Sequence, residues 1–200
     1  MCFRSADERF GLTVKDRPLE RMLALCIQAG TMETGGVLIG HYAATHDCAL
    51  VKAASGPPAG SRQGRTRFYR GVGGVRQQLA RSWRDHRWYY LGEWHFHPQG
   101  SPNPSTIDIR QMEAIAANPS WCCPEPVLLI VGGDPAGAWS AGAYVFPAGR
   151  QRVDLALQMD RPQALVASLC LTEQDHGCAG TRPRDESSPT IIENEGTMCP

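Results

Sequence analysis

A chain of 200 residues with 42% apolar content is long enough for one domain with its own core. Lys+Arg and Asp+Glu total 20 each, so no net field draws the chain to nucleic acid or to an anionic membrane surface. The N-terminal MCFRSADERF lacks an apolar signal region and no window reaches the roughly 18 apolar residues of a membrane span, which predicts a cytoplasmic protein with no membrane partner.

In chain order, Asp16 is positioned to cap a helix with Pro18 in its first turn. Leu19, Met22, Leu23, Cys26 and Ile27 then recur at helical spacing before Gly30. Glu33 stands in the connection TMETGG, ahead of the apolar run Val37-Leu38-Ile39, which reads as a buried strand. Residues 47–54 predict a second strand and residues 55–64, SGPPAGSRQG, a loop. A short strand over 66–70 and an amphipathic helix over 75–85 follow. Residues 62–87 hold eight arginines against one acid, Asp85. They read either as a docking surface for an acidic segment or a C-terminal carboxylate, with Arg67 and Arg70 as candidate substrate contacts, or as a solvated helix face.

Residues 88–97, WYYLGEWHFH, are aromatic and β-prone. Alternation puts Glu93, His95 and His97 on one face of that strand and Trp94 and Phe96 on the other. A Pro/Gly loop leads to a helix over 105–118, with Ile107, Met112, Ile115 and Ala116 able to face the core and Asn118-Pro119 ending it. Residues 127–131 and 139–146 are further strands, and 151–158 are an edge strand or a short helix. The segment 159–200 is polar, acidic and almost without apolar pattern, which predicts a poorly structured tail behind a domain spanning 1–158. The eight cysteines form no C-x-x-C pair and read as small buried hydrophobes or free thiols.

Two histidines two apart on one strand face stand about 7 Å apart at the backbone, a gap their side chains can close around one ion. Asp108, delivered by the loop and the first turn of the helix, completes the three protein ligands that a catalytic zinc takes. Glu33 is the candidate base for a water at that site, and Ser105 can donate to the oxyanion formed when water attacks a carbonyl. Ser105-Thr106-Ile107-Asp108 is also a capping-box-like pattern, and the two functions are compatible. Glu93 shares the histidine face and stays open as an alternative third ligand or base.

His95-x-His97, seven residues, Ser105, two residues, Asp108, with Glu33 upstream before Gly-Gly-Val-Leu-Ile-Gly, closely resembles the JAMM (MPN-plus) zinc metalloprotease motif. The likeness covers roughly residues 10–150, and YLGEWHFHPQGSPNPSTID with the upstream RTRFYR looks most like the stand-alone prokaryotic branch. That branch often accompanies activating and conjugating enzymes of ubiquitin-like systems, anti-phage defence operons among them. The resemblance implies a single α/β domain of MPN/JAB type, a curved mixed sheet flanked by helices with a cytidine-deaminase-like architecture. It also implies one Zn2+ per chain on His95, His97 and Asp108, with Glu33 and Ser105 catalytic. The implied activity is cleavage after the C-terminal glycine of a ubiquitin-like modifier or conjugated protein, with conjugating-pathway proteins encoded nearby as partners. A same-fold peptidase acting on a small sulfur-carrier protein or short peptide, and a non-catalytic zinc-containing interaction module, are the alternative readings. Phe96 is bulkier than the small residue usual between the two histidines and is expected to point away from the metal.

Overall fold

In the computed structural model, which describes residues 1–158, there are ten strands and three helices, and eight of the strands build one mixed sheet with a helical cover. The elements are β1 (Cys2–Arg4), β2 (Gly11–Val14), α1 (Asp16–Ala29), β3 (Thr34–Tyr42), β4 (Cys48–Ala54), β5 (Arg62–Gln63), β6 (Phe68–Tyr69) and α2 (Val75–His86). They continue with β7 (Tyr89–Pro98), α3 (Thr106–Ala117), a 3-10 turn (Pro119–Trp121), β8 (Val127–Gly133), β9 (Trp139–Val145) and β10 (Val153–Gln158). The expected curved sheet goes one step further and closes, in the order β1-β10-β9-β8-β7-β3-β4-β2, while β5 and β6 pair separately. Closure is made by Phe3, which faces Leu157 across one neighbour and Leu12 across the other. A closed sheet leaves no edge to pair with another chain. β7 runs parallel to β8, so the chain must cross over between them, and α3 is that crossover. The tail expected over 159–200 lies outside the described residues. Among the described residues no helix is long and apolar enough to cross a membrane.

Period-two alternation divides the core between the two faces of the sheet. Leu38, Trp94, Phe96, Val127, Leu129 and Val131 join Phe3, Leu12 and the α1 residues Met22 and Cys26 in one cluster. Val37, Ile39, Leu128 and Ile130 point the other way, against Val75 and Leu79 of α2 and Met112 and Ile115 of α3. Phe96 is 1% exposed and sits in the first cluster, away from the histidine face, so its bulk is absorbed by the core. Gly92 answers a geometric need. At φ +146° it stands where β3 and β7 shift register, and a Cβ there would meet the Val127 carbonyl oxygen at 1.9 Å.

Several local expectations are corrected. Asp16 is the first residue of α1 and not its cap; Lys15 occupies that place with no side-chain capping bond. Ile27 and Ile107, read as core-facing, are 54% and 41% exposed. Residues 151–158, left between strand and helix, end in β10, which lies between β9 and β1 and so is not an edge strand. Arg62–Gln63, inside the expected loop, pairs with β6. Cys2, Cys26, Cys48 and Cys123 are free thiols, and burial pushes Cys26 and Cys123 up to about 12, which suits packing and not chemistry.

Candidate metal centre

The strand that carries the two histidines is the middle of the sheet. β7 pairs antiparallel with β3 on one side and parallel with β8 on the other, and its residues 90–96 are buried. Such double pairing fixes register, and a slip by one residue would turn the histidine face inward. His95 (2% exposed) and Asp108 (7%) are buried polar residues, and His97 lies partly open beyond them. The ligand atoms of His95, His97 and Asp108 all lie within 4.8 Å of one another.

Asp108 reaches this point because Ser105 starts the helix there. The Ser105 Oγ accepts from the Asp108 N–H at 3.3 Å, and the Asp108 Oδ2 accepts from the Ser105 N–H at 2.7 Å, a complete capping box. The cap therefore aims the carboxylate. Its Oδ1 meets His95 Nδ1 at 2.7 Å, and its Oδ2 lies 3.6 Å from His97 Nε2. The remaining ring nitrogens have different surroundings. His97 Nδ1 faces the Ser101 carbonyl at 3.2 Å, whereas His95 Nε2 is buried without a hydrogen-bond partner, 3.5 Å from Glu93 Oε2.

Two elements hold His95 from the sides. Phe68 of β6 meets its ring edge-on with centroids 5.5 Å apart. Gly35, paired with His95 across the β3–β7 ladder, leaves the space for this: a Cβ would come within 2.8 Å of Phe68 and 2.3 Å of the Trp94 carbonyl oxygen. The β3–β7 register runs Gly35 to His95 and Thr34 to Phe96, so the preceding residue, Glu33, falls at the level of His97. Its N–H is tied to the Gly64 carbonyl at 2.7 Å and its side chain is half-buried.

The three side chains perturb one another strongly. Burial alone would lower the His95 ring, but Asp108 and Glu93 outweigh it and push it up to about 9. Burial would raise Asp108, but the two histidines hold it far below the usual carboxylate range. Glu33 is raised chiefly by desolvation, with His97 opposing and Asp108 adding. Two imidazoles and a carboxylate whose ligand atoms converge, with His95 and Asp108 buried and His97 partly open, are a donor set that fits a divalent cation of the zinc type.

Of the other candidates, Ser105 is exposed at the helix start beside Asp108. Arg67 is exposed in the turn between β5 and β6. Arg70 is not presented to a substrate: its side chain is 6% exposed, with Nε 2.5 Å from Glu93 Oε1. Its guanidinium lies 4.9 Å over the Trp121 ring. Glu93, fully buried, lies on the Nε2 side of the His95 ring and is not among the clustered ligands, so the alternative of Glu93 as third ligand finds no support in the arrangement. The solvated-face reading describes the helical arginines Arg76, Arg81 and Arg84, which are exposed. Phe68, Gly35 and Gln111, whose Nε2 donates to Glu93 Oε2 at 2.6 Å, were not anticipated. A Gly-Gly pair opening a buried strand signals close approach of another group, and Gln111 follows Asp108 by one helical turn, on the same face.

Comparison with known proteins agrees with this geometry. Residues 16–142 match the family of prokaryotic homologues of the JAB domain. A protein of Enterobacter hormaechei called a CD-NTase/cGAS isopeptidase is 46% identical over 147 residues, covering 74% of this chain and 81% of that one. A probable metalloprotease of Sinorhizobium fredii is 27% identical over 161 residues, 78% of this chain and 93% of its own. A solution structure from Desulfitobacterium hafniense superposes with a TM-score of 0.53 at 23% identity, over 72% of this chain and 89% of its own, which speaks for the fold. The buried His-x-His strand, the capped helix that returns a carboxylate to it, and the match over 16–142 together make this chain a member of the prokaryotic, JAMM-like JAB-domain family.

Proposed function

We propose that this chain is a zinc-dependent isopeptidase or peptidase that cleaves after the C-terminal glycine of a ubiquitin-like modifier or conjugated protein. The observation that carries this is the convergence of His95, His97 and Asp108 beside the half-buried Glu33. The name of the Enterobacter relative supports a bond between a modifier and a CD-NTase/cGAS protein as the one cleaved.

His95, His97 and Asp108 would hold the cation. When bound, it supplies Lewis-acid chemistry, lowering the pKa of a water and polarising the scissile carbonyl. The rest falls to the protein's own side chains. Glu33 takes a proton from the attacking water as the C–O bond forms, and delivers it to the leaving amine nitrogen as the C–N bond breaks. Desolvation makes Glu33 a stronger base than an exposed glutamate. Ser105 uses its oxygen lone pair to accept from the Asp108 N–H, which leaves its hydroxyl proton free to donate to the oxyanion. The products are the modifier carboxylate and a free lysine amine.

The test is a set of glycine-ended modifiers joined to a target either through a lysine side chain or head-to-tail, incubated with the zinc-loaded protein. The expected result is a new carboxylate at the terminal glycine by mass spectrometry, abolished by a chelator and restored by zinc. Cleavage elsewhere, or cleavage indifferent to chelation, contradicts the proposal. Ser105→Ala is expected to lower kcat by about a hundredfold, the low end for one oxyanion donor, with little change in KM. A tenfold rise in KM at constant kcat would instead mark Ser105 as a binding residue.

A further inference from the structure

Behind the His95 ring lies a buried carboxylate that the chemistry above leaves unused. Glu93 is 0% exposed, yet every group around its carboxylate can donate to it. Arg70 Nε and Gln111 Nε2 donate at 2.5 and 2.6 Å, the Tyr90 hydroxyl donates at 3.4 Å, and His95 Nε2 stands 3.5 Å away. These donors come from two elements and a loop: Arg70 from the segment after β6, Gln111 from α3, Tyr90 and His95 from β7. A charge buried so completely is costly unless a specific arrangement requires it, because an apolar set of similar volume would pack there at no such cost.

His95 states the requirement. A neutral imidazole has one N–H and one lone pair. Nδ1 faces Asp108 at 2.7 Å, so a ring that offers its lone pair on that side carries its proton on Nε2. Nε2 is the buried polar side-chain atom without a hydrogen-bond partner among the described residues, and Glu93 Oε2 is the carboxylate oxygen beside it. Histidines that hold metals generally donate their second N–H to such an oxygen, which sets both tautomer and ring orientation. Gln111 adds a mechanical link, since it joins Glu93 on β7 to the helix that carries Asp108.

We propose that Glu93 is the positioning residue of the metal centre: it accepts the His95 Nε2–H, so that the Nδ1 lone pair is free for the cation on the side where Asp108 stands, and through Gln111 it ties β7 to α3. Arg70 holds the carboxylate in place and balances its charge. This rests on His95, His97 and Asp108 being the metal ligands. The competing structural role is that Glu93 only neutralises the buried Arg70.

Glu93→Gln alone leaves the Arg70 charge buried and unpaired, so the deciding variant is Glu93→Met combined with Arg70→Met, which removes both charges at similar volume. Zinc affinity is read by competition with a chromophoric chelator, alongside the melting temperature of the zinc-free chain. The expected result is a 10- to 100-fold loss of zinc affinity in the double variant. Affinity equal to wild type overturns the proposal and leaves Glu93 as a counter-charge. A second measurement needs no variant: long-range proton–nitrogen NMR of the zinc-loaded wild-type chain is expected to show His95 protonated on Nε2, and a ring protonated on Nδ1 overturns the proposal. A wild-type chain that binds no zinc overturns the metal reading itself, and this inference with it.

Discussion

Glu33→Gln is expected to lower the rate of conjugate cleavage by about a hundred- to ten-thousandfold, the range in which a positioned general base contributes. Zinc content should stay at the wild-type value. The two parts of this result belong together. Glu33 is not among the clustered ligand atoms, so losing its charge leaves the ion's donors intact. Its contribution is a proton acceptor held at the level of His97 by the β3–β7 register, with its backbone tied to Gly64. Gln has the same shape and cannot take the proton. A variant that keeps activity within tenfold of wild type, measured at saturating zinc and substrate, would remove Glu33 from the mechanism. A variant that also loses zinc would make it a ligand.

Trp94→Ala is expected to destabilise the fold by about 3–5 kcal/mol, read from urea unfolding of the zinc-free chain. Trp94 is the largest fully buried side chain, and it lies between Glu93 and His95 with its indole on the opposite face of β7. Its Nε1–H donates to the Ser55 carbonyl at 2.9 Å. Truncation therefore opens a cavity and leaves a buried carbonyl without that donor, two costs that add. The effect reaches the site through register: with the indole anchored inside, the histidines can only face α3. A loss below about 1 kcal/mol would mean that β7 is fixed by its ladders alone.

Much of this was legible in the residues. Strand β7 was legible from Tyr89, Tyr90, Trp94 and Phe96, and α3 from Ser105 and Asp108 at capping-box spacing. These are local signals, and local chemistry suffices to produce them. The metal cluster was legible for the same reason, since two of its ligands share one strand face and the third opens the next helix.

What stayed hidden depended on distant partners. β1 and β2 are three and four residues long, too short to show alternation, and are strands through partners distant in sequence, β10 for β1 and β4 for β2, with Phe3 and Leu12 paired between them. Closure of the sheet could not be read before those pairings were known. Glu93 was ambiguous because its meaning lies in Arg70 and Gln111, 23 and 18 residues away in sequence. Arg70 read, with Arg67, as a candidate substrate contact in a run of eight arginines, and composition cannot tell which member of such a run is drawn under the surface by a buried acid. Ile27 and Ile107 failed differently: each sits at helical spacing, but on the flank of a face that the sheet does not cover.

The central claim is that His95, His97 and Asp108 form one catalytic metal site. Metal analysis of the purified chain tests it most directly. After loading with zinc and removal of excess, the wild type is expected to retain one zinc per chain and His95→Ala close to none, with both chains folded by circular dichroism. No retained metal in the wild type, or one full equivalent in His95→Ala, would contradict the account.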